Sequence, residues 1–232
     1  MKKIGFIVFA AAIIIGVAFS SLFSFGKATG KVFNFSVNSG VTGSGNIAAD
    51  TRDVSDFSSI EVGGVFQVEI VAQRDFGVQV EADDNLLEFI KTEVHGDVLR
   101  IESDKRINSR EPIRIRISAP NIERIEASGA SKVTVADLNN SSLAVDTSGA
   151  SKIRIAGQTA RLQVEVSGAS NIDAENLKAG RVDVEASGAS QAAVNVVETL
   201  RTDASGASRV TYTGSPTSVQ KNVSGAGSVN QK

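Results

Sequence analysis

The tripeptide Ser-Gly-Ala recurs at a nearly constant spacing through the second half of the chain. The intervals between successive copies are 20, 19, 20, 18 and 19 residues. The six copies begin at Ser128, Ser148, Ser167, Ser187, Ser205 and Ser224. A fixed period of roughly 20–50 residues is typical of proteins that stack copies of one structural unit. The repeat therefore predicts a solenoid, and it leaves few residues in this half of the chain for other tasks.

The residues on both sides of each tripeptide alternate between apolar and polar side chains. Leu143 and Val145 precede the copy at Ser148, and Ile153 and Ile155 follow it. An alternation with a period of two is typical of strands that bury one face. Each unit is therefore predicted to contain two short strands joined at a bend, where glycine supplies backbone freedom and small Ser and Ala allow close stacking.

A unit this small cannot bury its own apolar face, so neighbouring units must share a core. We expect an all-β fold, a single-stranded parallel β-helix of right-handed sense, with about 19 residues and a rise of about 4.8 Å per rung. The period also extends upstream, because residues 60–70 align without gaps with residues 125–135 and Gly64 then matches Gly129. Residues 121–232 are the predicted regular β-helix, and residues 46–120 are its predicted degenerate N-terminal part.

The N-terminal segment has the pattern of an export signal. Lys2 and Lys3 are followed by 22 residues, from Ile4 to Phe25, that carry no charge. Residues 1–25 are therefore predicted to be a signal peptide or, if uncleaved, an N-terminal membrane anchor. Residues 26–45 are a predicted spacer. We expect an exported protein of the periplasm, outer membrane or cell surface, with membrane contact only through this segment.

Residues 83–103 interrupt the repeat pattern. Asp83 and Asp84 are predicted to cap a single helical turn over residues 86–89. The sequence His95-Gly96-Asp97 then predicts a tight turn into a strand over residues 98–103.

Four segments in this order resemble the bacterial family known as putative auto-transporter adhesin, head GIN domain. They are GSGNI (residues 43–47), the non-repeating insert (residues 80–103), the serial SGAS units and VTYTGSP (residues 210–216). The resemblance implies an exported β-helix with a role in adhesion. Most members carry Ser-Gly-Ser-Gly followed by an acidic residue, whereas the positions after SGAS in this chain are Lys132, Lys152, Asn171, Gln191 and Arg209.

A column of carboxylates is the sharpest candidate site. Two residues before each repeated serine the chain carries Glu126, Asp146, Glu165, Glu185 and Asp203, and then Asn222. If the units stack in register, these side chains lie on one face and could bind divalent cations or a cationic partner. The alternative, which we favour, is a solvated face screened by basic neighbours such as Arg124, Lys132, Arg154 and Arg201.

Other chemistry has little support in the sequence. The chain has no cysteine, and His95 is its one histidine, so no metal site, cofactor or catalytic residue is predicted. The net charge of −2 and the absence of a basic cluster argue against a nucleic-acid partner. Tyr212 is the one aromatic residue after Phe89, so no aromatic platform for sugars is expected along the repeats.

We therefore expect an exported, non-enzymatic interaction module, an adhesin of the bacterial cell envelope. Its partner would be an unidentified cell-surface, envelope or polysaccharide ligand. One alternative is a β-helical carbohydrate-active enzyme. The other is a structural envelope protein that forms homo-oligomers through its end rungs, since exposed strand edges favour pairing.

Overall fold

Parallel strands that pair from one rung to the next form most of the fold. The computed structural model describes residues 40–232. The predicted signal or anchor and residues 26–39 of the predicted spacer lie outside the described residues. The strands are, in chain order, β1 (Val41–Thr42), β2 (Ile47–Arg52), β3 (Ser59–Gly64), β4 (Gln67–Ala72), β5 (Gly77–Asp83), β6 (Ile90–His95), β7 (Val98–Ser103), β8 (Ile107–Asn108), β9 (Arg114–Ala119), β10 (Arg124–Gly129), β11 (Lys132–Thr147), β12 (Lys152–Val166), β13 (Asn171–Ala186), β14 (Gln191–Ala204), β15 (Arg209–Gly214), β16 (Ser218–Val223) and β17 (Ser228–Gln231).

The regular stack, residues 121–232, has the predicted architecture. Strands β10 to β14 pair in parallel in sequence order, and the register places Leu143 beside Leu162, then Val182, then Leu200. All four side chains are fully buried, because alternate residues of every rung point into one shared core. The predicted parallel β-helix with rungs of about 19 residues is thus confirmed. The two strands predicted for each unit form one long strand that bends at a corner, as in β11, and breaks at Ser-Gly-Ala.

The glycine of each tripeptide is required by both its backbone conformation and its packing. Gly149 and Gly168 have φ angles of 77° and 70°, in the left-handed region that side chains disfavour. A Cβ on Gly168 would lie 2.6 Å from the carbonyl oxygen of Gly149 in the preceding rung. The amide of Ala169 donates to this same oxygen at 2.8 Å, while the Ala169 side chain faces solvent. Close stacking at the bend therefore depends on glycine rather than on the alanine.

A column of buried serines follows the bend, at the fourth position of each Ser-Gly-Ala-Ser unit. These side chains are at most 2% exposed: Ser131, Ser151, Ser170, Ser190 and Ser208. Ser131, Ser190 and Ser208 each donate to a main-chain carbonyl of the rung before, at 3.0–3.3 Å. The hydroxyls of Ser151 and Ser170 have no hydrogen-bond partner among residues 40–232. The sequence pattern predicted the bend at the glycine, with Ser and Ala allowing close stacking, and did not predict this inward column.

The N-terminal cap, residues 40–120, continues the stack and then closes it. The register pairs Ile60 with Ile125 and Val68 with Val133, as the ungapped alignment predicts. Below these strands, β7 and β9 add one more layer in parallel to β3 and β4. Antiparallel pairing then takes over, between β2 and β5, between β5 and β9, and in the β6–β7 hairpin. Because antiparallel pairing does not continue the parallel stacking of rungs, these strands end the solenoid at its N-terminal side.

The insert contains the predicted turn, but its carboxylates have another role. A 3-10 turn covers Leu87–Phe89, and Leu86, at the N-cap position before it, makes no side-chain capping hydrogen bond. The prediction that Asp83 and Asp84 cap this turn is therefore wrong. Asp83 is 2% exposed and accepts hydrogen bonds from the Gly45 amide at 2.7 Å and from the Ser109 hydroxyl. The hairpin turn before β7 is present as predicted.

The C-terminal end of the stack is closed much more simply. Strands β16 and β17 pair only with β14 and β15, so within residues 40–232 their other edge is unpaired. Lys221 occupies the position that Val184 and Thr202 hold in the rungs before it, facing the core axis. Its amine lies 4.9 Å from the centre of the Tyr212 ring. An inward-pointing charge on an edge strand opposes pairing with another edge.

No helix within residues 40–232 is long and apolar enough to cross a membrane.

Candidate functional site

The carboxylates predicted to form a column do line up on one outward face. The register pairs each with the next, in the order Glu126, Asp146, Glu165, Glu185 and Asp203, and Asn222 ends the column. Glu61 of the cap pairs with Glu126 and extends the column by one rung, which the sequence analysis did not include. Six carboxylates therefore follow one another at the strand spacing of about 4.8 Å.

Basic and amide groups compensate the charge at the two ends of this carboxylate column. Arg100 donates to Glu61 at 2.9 Å, and the Asn222 amide donates to Asp203 at 2.8 Å. Arg201 also approaches Asp203 at 3.8 Å. The four carboxylates between these ends form no ion pair with residues 40–232.

The predicted screening by basic neighbours is therefore incomplete along the middle of the column. Arg154 pairs instead with Asp173 at 3.7 Å, and Lys132 lies on the strand after the bend. Of the side chains named in the sequence analysis, Arg124 and Arg201 lie close enough to the column to act on its charge.

The local environment raises the pKa of two members of the column. Partial burial raises the pKa of the Glu126 carboxyl, and the charges of Glu61 and Asp146 raise it further. Partial burial likewise raises the pKa of Asp146, together with the charge of Glu165. At these two carboxyls the like charges of neighbouring rungs thus add to the cost of partial burial, and the charge of Arg124 offsets part of that cost.

A groove runs beside the column along the edge of the bend. It encloses about 680 Å³ and is lined on one side by the carboxylates of Asp146, Glu165, Glu185 and Asp203. The first serine of successive tripeptides lines the other side: Ser167, Ser187, Ser205 and Ser224. Carboxylates accept hydrogen bonds, and hydroxyls both donate and accept them. This acid–serine groove can therefore hold a polar polymer that runs across the rungs.

The arrangement gives little support to a metal site or to catalysis. No group of three or more histidine, aspartate or glutamate side chains within residues 40–232 is placed to hold a metal ion. Each rung supplies a single carboxylate to the column, whereas Ca²⁺ takes six to eight oxygen ligands. His95 is the exposed last residue of β6 and contacts Glu93 at 3.3 Å.

A basic cleft where the N-terminal cap meets the first rung of the stack was not predicted from the sequence. It lies between the loop over residues 103–113 and the bend at residues 63–67, and its volume is about 990 Å³. The cationic side chains that line it are Lys105, Arg106, Arg110 and Lys132. The pair Lys105-Arg106 and the nearby Arg110 are visible in the sequence, but Lys132 joins them only because β11 stacks on β4.

A stack of parallel rungs with polar columns on its outer face defines a β-solenoid of the adhesin-like class. The chain belongs to the family described as putative auto-transporter adhesin, head GIN domain, whose model matches residues 56–216. The match begins before β3 and ends after β15, so it includes both the cap and the regular stack. No curated protein matches the sequence of the chain.

Solved structures of low sequence identity share the fold. A putative adhesin from Bacteroides fragilis NCTC 9343 is 21% identical, with a TM-score of 0.70, and the match covers 83% of this chain and 100% of that one. A putative adhesin from Parabacteroides merdae ATCC 43184 is 17% identical, with a TM-score of 0.52 over 83% and 98% of the two chains. A putative lipid binding protein from Parabacteroides distasonis ATCC 8503 is 18% identical, with a TM-score of 0.51 over 83% and 99%.

Proposed function

We propose that this protein is an exported, non-enzymatic interaction module that binds polysaccharide of the bacterial cell envelope. The acid–serine groove is the observation that carries the proposal. It presents the same pair of polar groups, one carboxylate and one hydroxyl, on several successive rungs. A polymer with a short chemical repeat can satisfy such a row of acceptors and donors many times over. Weak contacts that repeat in this way add up to useful affinity.

Export is supported by family membership and by the N-terminal sequence. The uncharged run of residues 4–25 behind two lysines has the composition of a signal or anchor. An adhesin must reach the envelope to meet its ligand, so the two proposals depend on each other. Fractionation of cells that produce the full chain, followed by immunoblotting, tests this step. Recovery in the cytoplasm alone would contradict it.

Binding can be tested with neutral polysaccharide purified from the envelope of the producing bacterium. We expect immobilised polysaccharide to retain the full chain, and the double variant Glu165→Gln/Glu185→Gln to bind at least several-fold more weakly. The matched control is Glu88→Gln/Glu102→Gln, which removes the same charge from exposed positions outside the groove. Equal binding by both variants would remove the groove from the proposal.

The enzyme alternative has a separate readout. If the groove cleaved polysaccharide, incubation with the same polymer would release reducing ends over time. We expect none, because glycoside hydrolysis needs two carboxyl groups in different environments, one as acid and one as base or nucleophile, whereas the carboxylates of the groove occupy equivalent positions on successive rungs. Release of reducing ends that depends on Glu165 or Glu185 would replace the binding proposal with a catalytic one.

A further inference from the structure

We propose that the basic cleft is a second binding site, which takes the acidic groups of an anionic polysaccharide. The inference rests on the proposed function for the class of partner, which is polysaccharide. It adds a second site, positively charged where the acid–serine groove is negatively charged. Three properties of the cleft support it: an excess of cations, a loop held rigidly in place, and an exposed apolar wall.

The cations of the cleft outnumber its acids. Lys105, Arg106, Arg110 and Lys132 face two acidic side chains. Lys91, which lies outside the cleft, forms an ion pair with Asp104 at 3.7 Å. Glu111 is then the one acidic side chain left to offset the cations of the cleft.

The two arginines of the cleft are available to a ligand to different degrees, because the charge of Arg110 already acts on the Asp83 carboxylate. The guanidinium groups of Arg106 and Arg110 and the amine of Lys132 form no ion pair within residues 40–232. Arginine binds a carboxylate or phosphate through two parallel hydrogen bonds, so a pair of unpartnered arginines favours an anion. This local excess is notable because the chain as a whole carries a net charge of −2.

The loop that carries both arginines is fixed before any ligand binds. Strand β1 pairs with β8, and the amides of Val41 and Gly43 donate to the carbonyls of Arg106 and Asn108 at 2.8 and 3.0 Å. On the other side of this short strand, Ser109 donates to the buried carboxylate of Asp83. Holding a binding loop in one conformation reduces the entropy lost when a ligand binds.

This use of Asp83 explains an otherwise costly feature. Burying a carboxylate is unfavourable unless hydrogen bonds compensate it. Here the two donors are the Gly45 amide, in the segment before β2, and the Ser109 hydroxyl, in the loop of the cleft. Asp83 therefore joins two segments that are distant in sequence. The segment that carries Arg106 and Arg110 is therefore held by two contacts: β8 pairs with β1, and Ser109, just after β8, donates a hydrogen bond to Asp83.

The wall opposite the loop supplies an apolar contact. Val65 is 73% exposed at the β3–β4 bend and Ala130 lines the same wall, while Pro112 adds an apolar contact from the loop itself. The rings of sugars have apolar faces of C–H groups between their polar substituents. A charged sugar therefore fits a cleft with arginines on one side and a small apolar surface on the other. The cleft contains no exposed aromatic residue that could insert into a membrane, which favours a sugar over a lipid headgroup.

Polygalacturonate, a linear polymer with one carboxylate per sugar, is the probe for this site. We expect the full chain to bind it, with an affinity that falls as salt is added. The double variant Arg106→Gln/Arg110→Gln should raise the Kd at least tenfold, because two charge-assisted contacts are lost. The matched control is Arg161→Gln/Arg181→Gln, which changes the net charge equally at exposed positions of the stack, and it should retain the wild-type Kd. Lys132→Gln, on a regular strand, should weaken binding several-fold without risk to the loop.

Several results would overturn the proposal. They are wild-type affinity in both Arg106→Gln/Arg110→Gln and Lys132→Gln, an equal loss in the control pair, or binding only to vesicles that contain phosphatidylglycerol. Failure of the proposed function is distinguishable, because the neutral envelope polysaccharide and the groove variants report on it independently. Polygalacturonate binding that persists in Glu165→Gln/Glu185→Gln would confirm that the two sites are separate.

Discussion

The N-terminal cap and the regular stack both bury an apolar core, but they are held together by different kinds of contact. In the stack, each contact recurs once per rung, as with the Ala169 amide and the Gly149 carbonyl. In the cap, contacts occur once each, as with Asp83, Gly45 and Ser109, or with Arg114 and Glu81 at 2.8 Å. Contacts that recur on each rung produce a surface that repeats along the stack, whereas contacts that occur once produce a surface found at one place in the molecule. This difference explains why the groove runs along the stack, whereas the basic cleft lies where the loop of the cap meets the first rung.

Two glycines with nearly the same backbone conformation allow the two regions to be compared directly. Gly168 of the stack and Gly96 of the cap have φ angles of 70° and 66°. A Cβ on Gly168 would contact backbone of the preceding rung, but a Cβ on Gly96 would meet nothing within 4 Å. Gly96→Ala should therefore cost about 1–2 kcal/mol of unfolding free energy from backbone strain alone. Gly168→Ala adds a clash and should cost about 2–5 kcal/mol.

Urea unfolding of both variants measures this difference, and Ala169→Ser, at an exposed position beside the bend, is the control. We expect Ala169→Ser to unfold like the wild-type protein. Equal costs for Gly96→Ala and Gly168→Ala would mean that the bends of the stack are not limited by contact between rungs.

The same contrast determines how much of the molecule was predictable from sequence. The stack was predictable because one period fixes strands, register and core together, down to the pairing of Ile60 with Ile125. The cap was not, because its antiparallel closure and the role of Asp83 depend on contacts between segments about 40 residues apart. The carboxylate column followed from the period, but its extension to Glu61 and the basic cleft required the three-dimensional register.

Acid should affect the cap through Asp83. Hydrogen bonds from the Ser109 hydroxyl and the Gly45 amide lower the pKa of this carboxyl in the folded protein. A lowered pKa stabilises the fold above the ordinary pKa of aspartate and loses that contribution as the pH falls through the folded value. Asp83→Asn should thus lower the melting temperature at pH 7, and the difference from wild type should shrink below about pH 4. A difference that does not depend on pH would contradict this role.

The stack should respond to acid in the opposite direction. The raised pKa values of Glu126 and Asp146 mean that their charged forms are disfavoured in the fold. Their contribution therefore becomes more favourable as the pH falls from 7 toward their ordinary values. Glu126→Gln/Asp146→Asn should raise stability at pH 7 by roughly 0.5–1 kcal/mol, and added salt should reduce the gain. Thermal unfolding at several pH values measures this, and destabilisation at pH 7 would show that the column is held by a favourable interaction.

The comparison that includes the smallest expected effect, that of Ser170→Ala, concerns two buried serines of the stack. The Ser190 hydroxyl donates to the Val166 carbonyl at 3.3 Å, while the Ser170 hydroxyl has no partner among residues 40–232. Ser190→Ala should cost about 0.5–1.5 kcal/mol, and Ser170→Ala should be neutral or slightly stabilising. Chemical denaturation of the two variants would reveal the difference. A larger loss for Ser170→Ala than for Ser190→Ala would contradict the assignment.

Deleting one complete rung tests most directly whether binding at the basic cleft is independent of the middle of the stack. Removing residues 167–186 joins Val166 to Ser187 and keeps the repeat in phase. The measurement is the Kd of this variant for polygalacturonate. Because the rungs are equivalent and residues 148–166 separate the deletion from Lys132, the cleft residue nearest to it, we predict a folded protein with the wild-type Kd. Loss of affinity would contradict the account, since it would show that the rungs are not interchangeable or that the site extends into the stack beyond Lys132.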